Sequence, residues 1–175
     1  MQNHFYPVLK DCLADEMVDQ PKIFLDARQE VGVRWPDNLA RALHRSRLMV
    51  AVWSPPYFRS SWCLVEWRTM LERERLLGIG GPAEPMGLVY PVRYSDGDRF
   101  PEEARSVEQQ VSFTDWRYPY PQFSKSLAYL DFHAAVVRMA EHLAGRLGNV
   151  PEWQADWPVV RPGSPESPLA ALPRL

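Results

Sequence analysis

Apolar positions along this chain recur with two periods, and stretches of the two kinds alternate. Phe5, Val8, Leu9, Cys12, Leu13 and Met17 return every three or four residues, which predicts an amphipathic helix over 3–19. Lys22-Ile23-Phe24-Leu25-Asp26 reads as a short strand, and 27–35 as a polar loop containing Gly32. Pro36 suits the first turn of a second helix, in which Leu39, Ala40, Leu43 and Arg47 keep the period. Leu48-Met49-Val50-Ala51-Val52-Trp53 is continuously apolar and β-branched, as a parallel strand covered on both faces should be. A Pro-kinked loop leads from Ser54 into a helix over 61–77, stopped by Gly78, Gly80, Gly81 and Pro82. Leu88–Arg93 is the next strand, and its Pro91 lacks a ladder donor, which favours an edge, a bulge or the end of pairing. A short helix over 100–107, a strand at Val111–Phe113 and an aromatic, Pro-broken loop over 115–122 follow. The last helix covers 125–147, with Leu127, Leu130, Ala134, Val137, Leu143 and Leu147 as its expected apolar side.

Strands alternating with helices define an α/β domain with a mostly parallel sheet between two helical layers. The expected domain is 1–149. Beyond it, 150–175 holds six of the chain's 17 prolines and reads as an extended tail or linker. Trp153 and Trp157 are expected to pack back onto the domain, with mobility from Pro162 onward.

The 175 residues suffice for one core, and the 46% hydrophobic content is that of a globular protein. A formal charge of −2 gives no general attraction to nucleic acid or an anionic membrane. No apolar run reaches bilayer length and the polar start is no signal peptide. The two cysteines, Cys12 and Cys63, form neither a metal spacing nor a disulfide framework, so a reduced, cytoplasmic setting is expected. His4, His44, His133 and His142 lack ligand spacing, so no metal site is expected. The Gly78–Gly81 run lacks the Lys-Ser/Thr of a phosphate-binding loop.

One stretch stands apart: Ser54-Pro55-Pro56-Tyr57-Phe58-Arg59-Ser60-Ser61-Trp62-Cys63-Leu64-Val65-Glu66. It leaves a buried strand at its carboxyl end, where open α/β sheets hold ligands. Trp62 and Glu66, four apart, share one helix face. Together with Ile23-Phe24-Leu25-Asp26, Gly32, Trp35-Pro36, Leu39-Ala40-Arg41-Ala42-Leu43, Ser46 and Met49-Val50-Ala51-Val52, this stretch resembles a Toll/interleukin-receptor homology (TIR) domain of the bacterial type, over 3–147.

The resemblance implies a flavodoxin-like three-layer fold with strands A to E, A lying between B and C. Lys22–Asp26 then corresponds to strand B, and strand A is absent from this chain, an amino-terminally incomplete domain. It also implies an NAD+ glycohydrolase, which cuts the nicotinamide–ribose bond to give nicotinamide and ADP-ribose or a cyclic form, in an immune or anti-phage effector. NAD+ is then the substrate and no resident cofactor is implied. Glu66 matches the catalytic position and Trp62 the position that stacks on a planar ring. Ala27–Trp35 matches the BB loop, which gates the pocket and mediates self-association. Arg28 and Arg34 are placed to meet the pyrophosphate, Trp35 to lie over the pocket, and Ser54 and Tyr57 to close it. Implied partners are other TIR domains and a sensor or regulatory domain beyond the tail. From the residues alone, each has an ordinary alternative: Glu66 as a helix-dipole partner, Trp62 as a core indole, the arginines as surface ion pairs. The alternative function is a non-enzymatic TIR adaptor that signals by self-association.

Overall fold

The computed structural model describes residues 3–25, 35–81, 85–95, 97–105 and 111–160, the side chains of 35–37 excepted. Its helices are α1 (Phe5–Glu16), α2 (Trp35–Arg45), α3 (Pro55–Arg59), α4 (Ser61–Leu77), α5 (Glu102–Arg105) and α6 (Ala128–Asn149). Its strands are β1 (Met49–Trp53), β2 (Val89–Arg93) and β3 (Val111–Ser112), with short 3-10 turns at Thr114–Trp116 and Pro121–Lys125. The strands form one parallel sheet in the order β1-β2-β3. Helices flank it on both faces, the three-layer α/β arrangement expected.

The strand period sorts the core. Val50, Val52, Tyr90 and Val92 face α1 and α6, where Phe5, Leu9, Leu13, Phe132, Val136 and Met139 meet them. Ala51 and Trp53 face the other way, toward Phe58 of α3, Trp67 of α4, Phe100 and Ala104 of α5. Pro91 is tolerated for a reason the register supplies. Met49 N donates to Leu88 O, and Phe113 N to Arg93 O, so the odd residues of β2 turn their backbone toward β3. Pairing with β3 starts only at Val92, opposite Val111. Pro91 therefore lies before that ladder begins, where no donor is required. At Val89, also short of β3, side chains replace the ladder. The Glu74 carboxylate accepts from Leu88 N and from Val89 N (3.1 Å), and Arg146 donates to the carbonyls of Gly87 and Val89. A Cβ at Gly87 would collide with the Glu74 carboxylate, so a larger residue there has to push that side chain off its two amides.

Three expectations are corrected. Residues 22–25 join no strand. Ile23 packs against the core, but Phe24 and Leu25 are exposed. Among the described residues no strand lies between them and β1, so the backbone groups of this segment have no ladder to enter. Residues 55–59 are not a loop but helix α3. Pro55 and Pro56 occupy its first two positions, where an N–H is not needed, behind Ser54 in extended conformation (φ −154°). The apolar side of α6 differs in part: Leu143 is buried as expected, but Leu127 and Leu130 are exposed, and Phe132, Val136, Met139 and Ala140 are buried in their place. Phe132 is drawn into an aromatic block with Phe113, Trp116, Phe123 and Tyr129, at ring distances of 5.4–6.1 Å. Among the described residues no helix is long and apolar enough to cross a membrane.

Burial raises the Glu74 pKa, opposed by the Leu88 and Val89 amides and by Arg146. The folded protein then holds this proton more tightly than the unfolded chain, and stability falls as pH climbs from the unfolded carboxylate range through the raised value. Glu74→Gln keeps an oxygen for both amides and should flatten that slope. Glu74→Leu leaves two buried N–H groups unpaired and should lower stability by about 2 kcal/mol. Urea unfolding of the three proteins on either side of the window, at about pH 4 and pH 8, measures both effects.

Candidate active site

The site is built on a hard aromatic floor. Trp53, the last residue of β1, is wholly buried, with ring centroids 5.6 Å from Phe58, 5.7 Å from Trp67 and 6.3 Å from Phe100. Ring pairs of this kind contribute about 1 kcal/mol each beyond the apolar area they bury. They fix α3 and the start of α4 against the carboxyl end of the sheet. Ser60 then caps α4, its hydroxyl accepting from Cys63 N at 3.3 Å. The turn between the two helices is thereby set, and with it the direction in which the next two turns point.

Trp62 and Glu66 are one turn apart on α4 and both are half-buried. Glu66 Oε1 is shielded from solvent. The Tyr57 hydroxyl of α3 is shielded too, and it has no hydrogen-bond partner among the described residues. Burial, then the neighbouring Cys63 and Glu66, push the Tyr57 pKa well above its usual value. Tyr57 therefore remains a neutral O–H donor at any physiological pH. The result is a carboxylate, a phenolic donor and an indole plate, carried on two adjoining helices at the end of β1. A buried, unpartnered donor in such a place is the kind of group that a ligand acceptor satisfies.

Of the predicted residues, the structure brings together Glu66, Trp62 and Tyr57. Ser54 stands at the head of α3, where its carbonyl accepts from Phe58 N at 3.4 Å and its hydroxyl makes no cap. Trp35 opens α2, its side chain outside the description. Arg28 and Arg34 lie outside the described residues. Cys63 is half-buried beside Tyr57. Sequence reading did not give Trp53 and Phe58 their role as the floor. The signal was the Trp closing an apolar run, followed at five residues by another aromatic. No group of three or more metal-ligating side chains occurs among the described residues. An open depression of about 540 Å3, lined by Glu16, Asp19, Arg47 and Glu141, lies near the opposite end of the sheet and shares no residue with the site.

A parallel α/β domain with a carboxylate and aromatic rings at a strand's carboxyl end defines the class. The family profile described as TIR domain matches residues 9–143, more than half of the chain, and the chain belongs to the TIR domain family. It is similar to the disease resistance-like protein CSA1 of Arabidopsis thaliana, 28% identical over 119 residues, a match covering 65% of this chain and 9% of that protein. The chain thus corresponds to a small part of the curated relative it matches. No solved structure matches it.

Tyr57→Phe removes a buried hydroxyl that has no partner among the described residues. Stability should be unchanged or higher by up to about 1 kcal/mol, while ligand binding at the site weakens. Thermal unfolding read beside binding separates the two effects.

Proposed function

We propose that this TIR domain is an NAD+ glycohydrolase in which Glu66 is the catalytic carboxylate. One observation carries the reading: the Glu66 carboxylate is partly shielded, one turn from Trp62 and within electrostatic reach of the Tyr57 hydroxyl. Such a group is neither a solvated surface acid nor a partner of the helix dipole alone.

The chemistry suits a single acid. Glycosidases acting on sugar ethers need a second carboxyl group to protonate the leaving oxygen. In oxidised NAD the leaving group is a pyridinium. When the bond from ribose C1′ to the ring nitrogen breaks, the electron pair moves to nitrogen and nicotinamide departs neutral, without a proton. The ribose keeps the positive charge as an oxocarbenium ion, and water closes the reaction by adding at C1′ and releasing a proton. Glu66 stabilises the positive charge as it develops. Trp62 offers a ring face for stacking. Tyr57, held neutral, donates to a hydroxyl or phosphate oxygen of the substrate. Self-association through the loop over 27–35 completes the site, with Arg28, Arg34 and Trp35 as its candidate substrate contacts. The relative named for disease resistance supports an immune role.

In protein assembled by enforced clustering, Glu66→Gln should abolish nicotinamide release without changing the unfolding midpoint. Unaltered turnover in that variant refutes the assignment. Trp62→Ala should weaken substrate binding roughly fivefold, the loss of one stacking contact. If clustered wild-type protein releases no nicotinamide, the adaptor reading, signalling by self-association alone, replaces this one.

A further inference from the structure

The segment that leaves α6 is bound to the domain in a particular way. Between Val150 and Val160 it crosses the carboxyl end of α2 and then follows α4. Val150 and Val159 enter a small core with Leu43 of α2 and Met70 of α4. The Trp153 indole donates to His44 O (3.0 Å), and His44 Nε2 donates to Ala155 O (3.1 Å). Further on, Pro158 meets Arg73, and Val160 N donates to Thr69 Oγ1 (3.0 Å). The strap therefore runs antiparallel to α4, toward the end that carries Glu66 and Trp62. Residues 62, 66, 69 and 73 lie on one face of that helix.

Arg73 is the centre of the contact. It is wholly buried, yet no carboxylate pairs with it among the described residues. Its donors go to neutral acceptors: Leu43 O and Ser46 O, each at 2.9 Å, Pro158 O twice, at 3.1 Å, and more weakly the Met70 sulfur at 3.9 Å. Two of the carbonyls are at the end of α2 and the third is in the strap. Trp157 lies under the guanidinium, 5.1 Å away, with its own indole N–H buried and without a partner among the described residues. Burial draws the Arg73 pKa down to about 10.

We propose that the Val150–Val160 strap is a releasable latch that sets how α2 sits against the site-bearing face of α4. Docked, it holds the end of α2 to Thr69 and Arg73, in line with Glu66 and Trp62. Undocked, it takes away both hydrogen bonds from Arg73 to Pro158 O, and α2 is free to shift. The balance between the states is close for a physical reason. Release exposes the apolar surface of Val150, Trp157 and Val159, but it also returns a desolvated cation and an unpaired indole N–H to water. A purely apolar strap would have no such compensation. The latch rests on the proposed function only for its effect on catalysis, since its docking is a property of the fold.

Hydrogen–deuterium exchange on the full chain tests this without substrate. In Trp157→Ala, amides of Leu39–Ser46 and Trp62–Glu66 should exchange at least tenfold faster than in the wild type, with α1 and the first half of α6 unchanged. Thr69→Val, which removes one strap bond and keeps the volume, should move the same amides by a smaller factor. Two results overturn the latch: faster exchange confined to the strap, which would leave α2 uncoupled, or faster exchange throughout α1 and α6, which would make Trp157 an ordinary core residue. Because the readout needs no turnover, absence of nicotinamide release in the wild type would remove the proposed activity and leave the latch standing.

Discussion

The placement of α4 across the β1–β2 pair is the constraint from which the rest of the structure follows. Trp67 and Met70 face the sheet, and Trp67 closes on Trp53 at its end. The helix also buries Thr69, Arg73 and Glu74. Each of these polar side chains is satisfied by the backbone of another element. Thr69 donates to its own helix at Val65 O (2.8 Å) and accepts from Val160 N. Arg73 takes the last carbonyls of α2, and Glu74 takes the first amides of β2. A side chain bonded to backbone fixes the position of a whole element, whatever residues that element carries. One helix thus locates α2, β2 and the strap, and the same location leaves Trp62 and Glu66 at the sheet's carboxyl end.

How far the sequence disclosed this depended on whether a signal was local. Residues 48–53 and 61–77 declared themselves, because a continuous apolar run and a capped helical period each depend on neighbours in the chain. The pair Trp62 and Glu66 was legible for the same reason, since helical spacing alone puts them on one face. Tyr57 was legible as a candidate, but not its burial, which arises from the helical turn that Pro55 and Pro56 begin. Arg73 and Glu74 carried no local signal of their burial. Nothing within seventeen residues of helix says that their partners are carbonyls of α2 and amides of β2.

The segments that were misjudged depend on distant partners. Residues 22–25 have strand composition, but a strand exists only where another offers it a ladder, and none does so among the described residues. In α6 two apolar stripes compete within one helix. The stripe through Leu127 and Leu130 is as regular as that through Phe132, Val136 and Met139. The choice was made by the aromatic residues of the preceding turns, Phe113, Trp116 and Phe123, which give Phe132 a place to pack. Period shows that a helix has an apolar face. Only the tertiary partners say which one when two are available.

The site and the latch share a physical logic. At Tyr57 a donor is buried with no partner among the described residues, and at Trp157 likewise. At Arg73 a cation is buried with only neutral acceptors. A domain selected for stability alone would replace such groups with apolar ones of similar volume, often at no cost. All three lie within reach of the α2–α4 unit: Tyr57 at the end where Glu66 stands, Arg73 and Trp157 at the end where α2 closes. Polar groups left short of their usual partners make a region that something else can stabilise. At one end the proposed substrate, rich in oxygen acceptors, would fill that role, and at the other the strap itself or water does. The two ends are joined by three helical turns of α4 with Thr69 between them, held from both sides. Movement at one end therefore alters the packing that the other depends on.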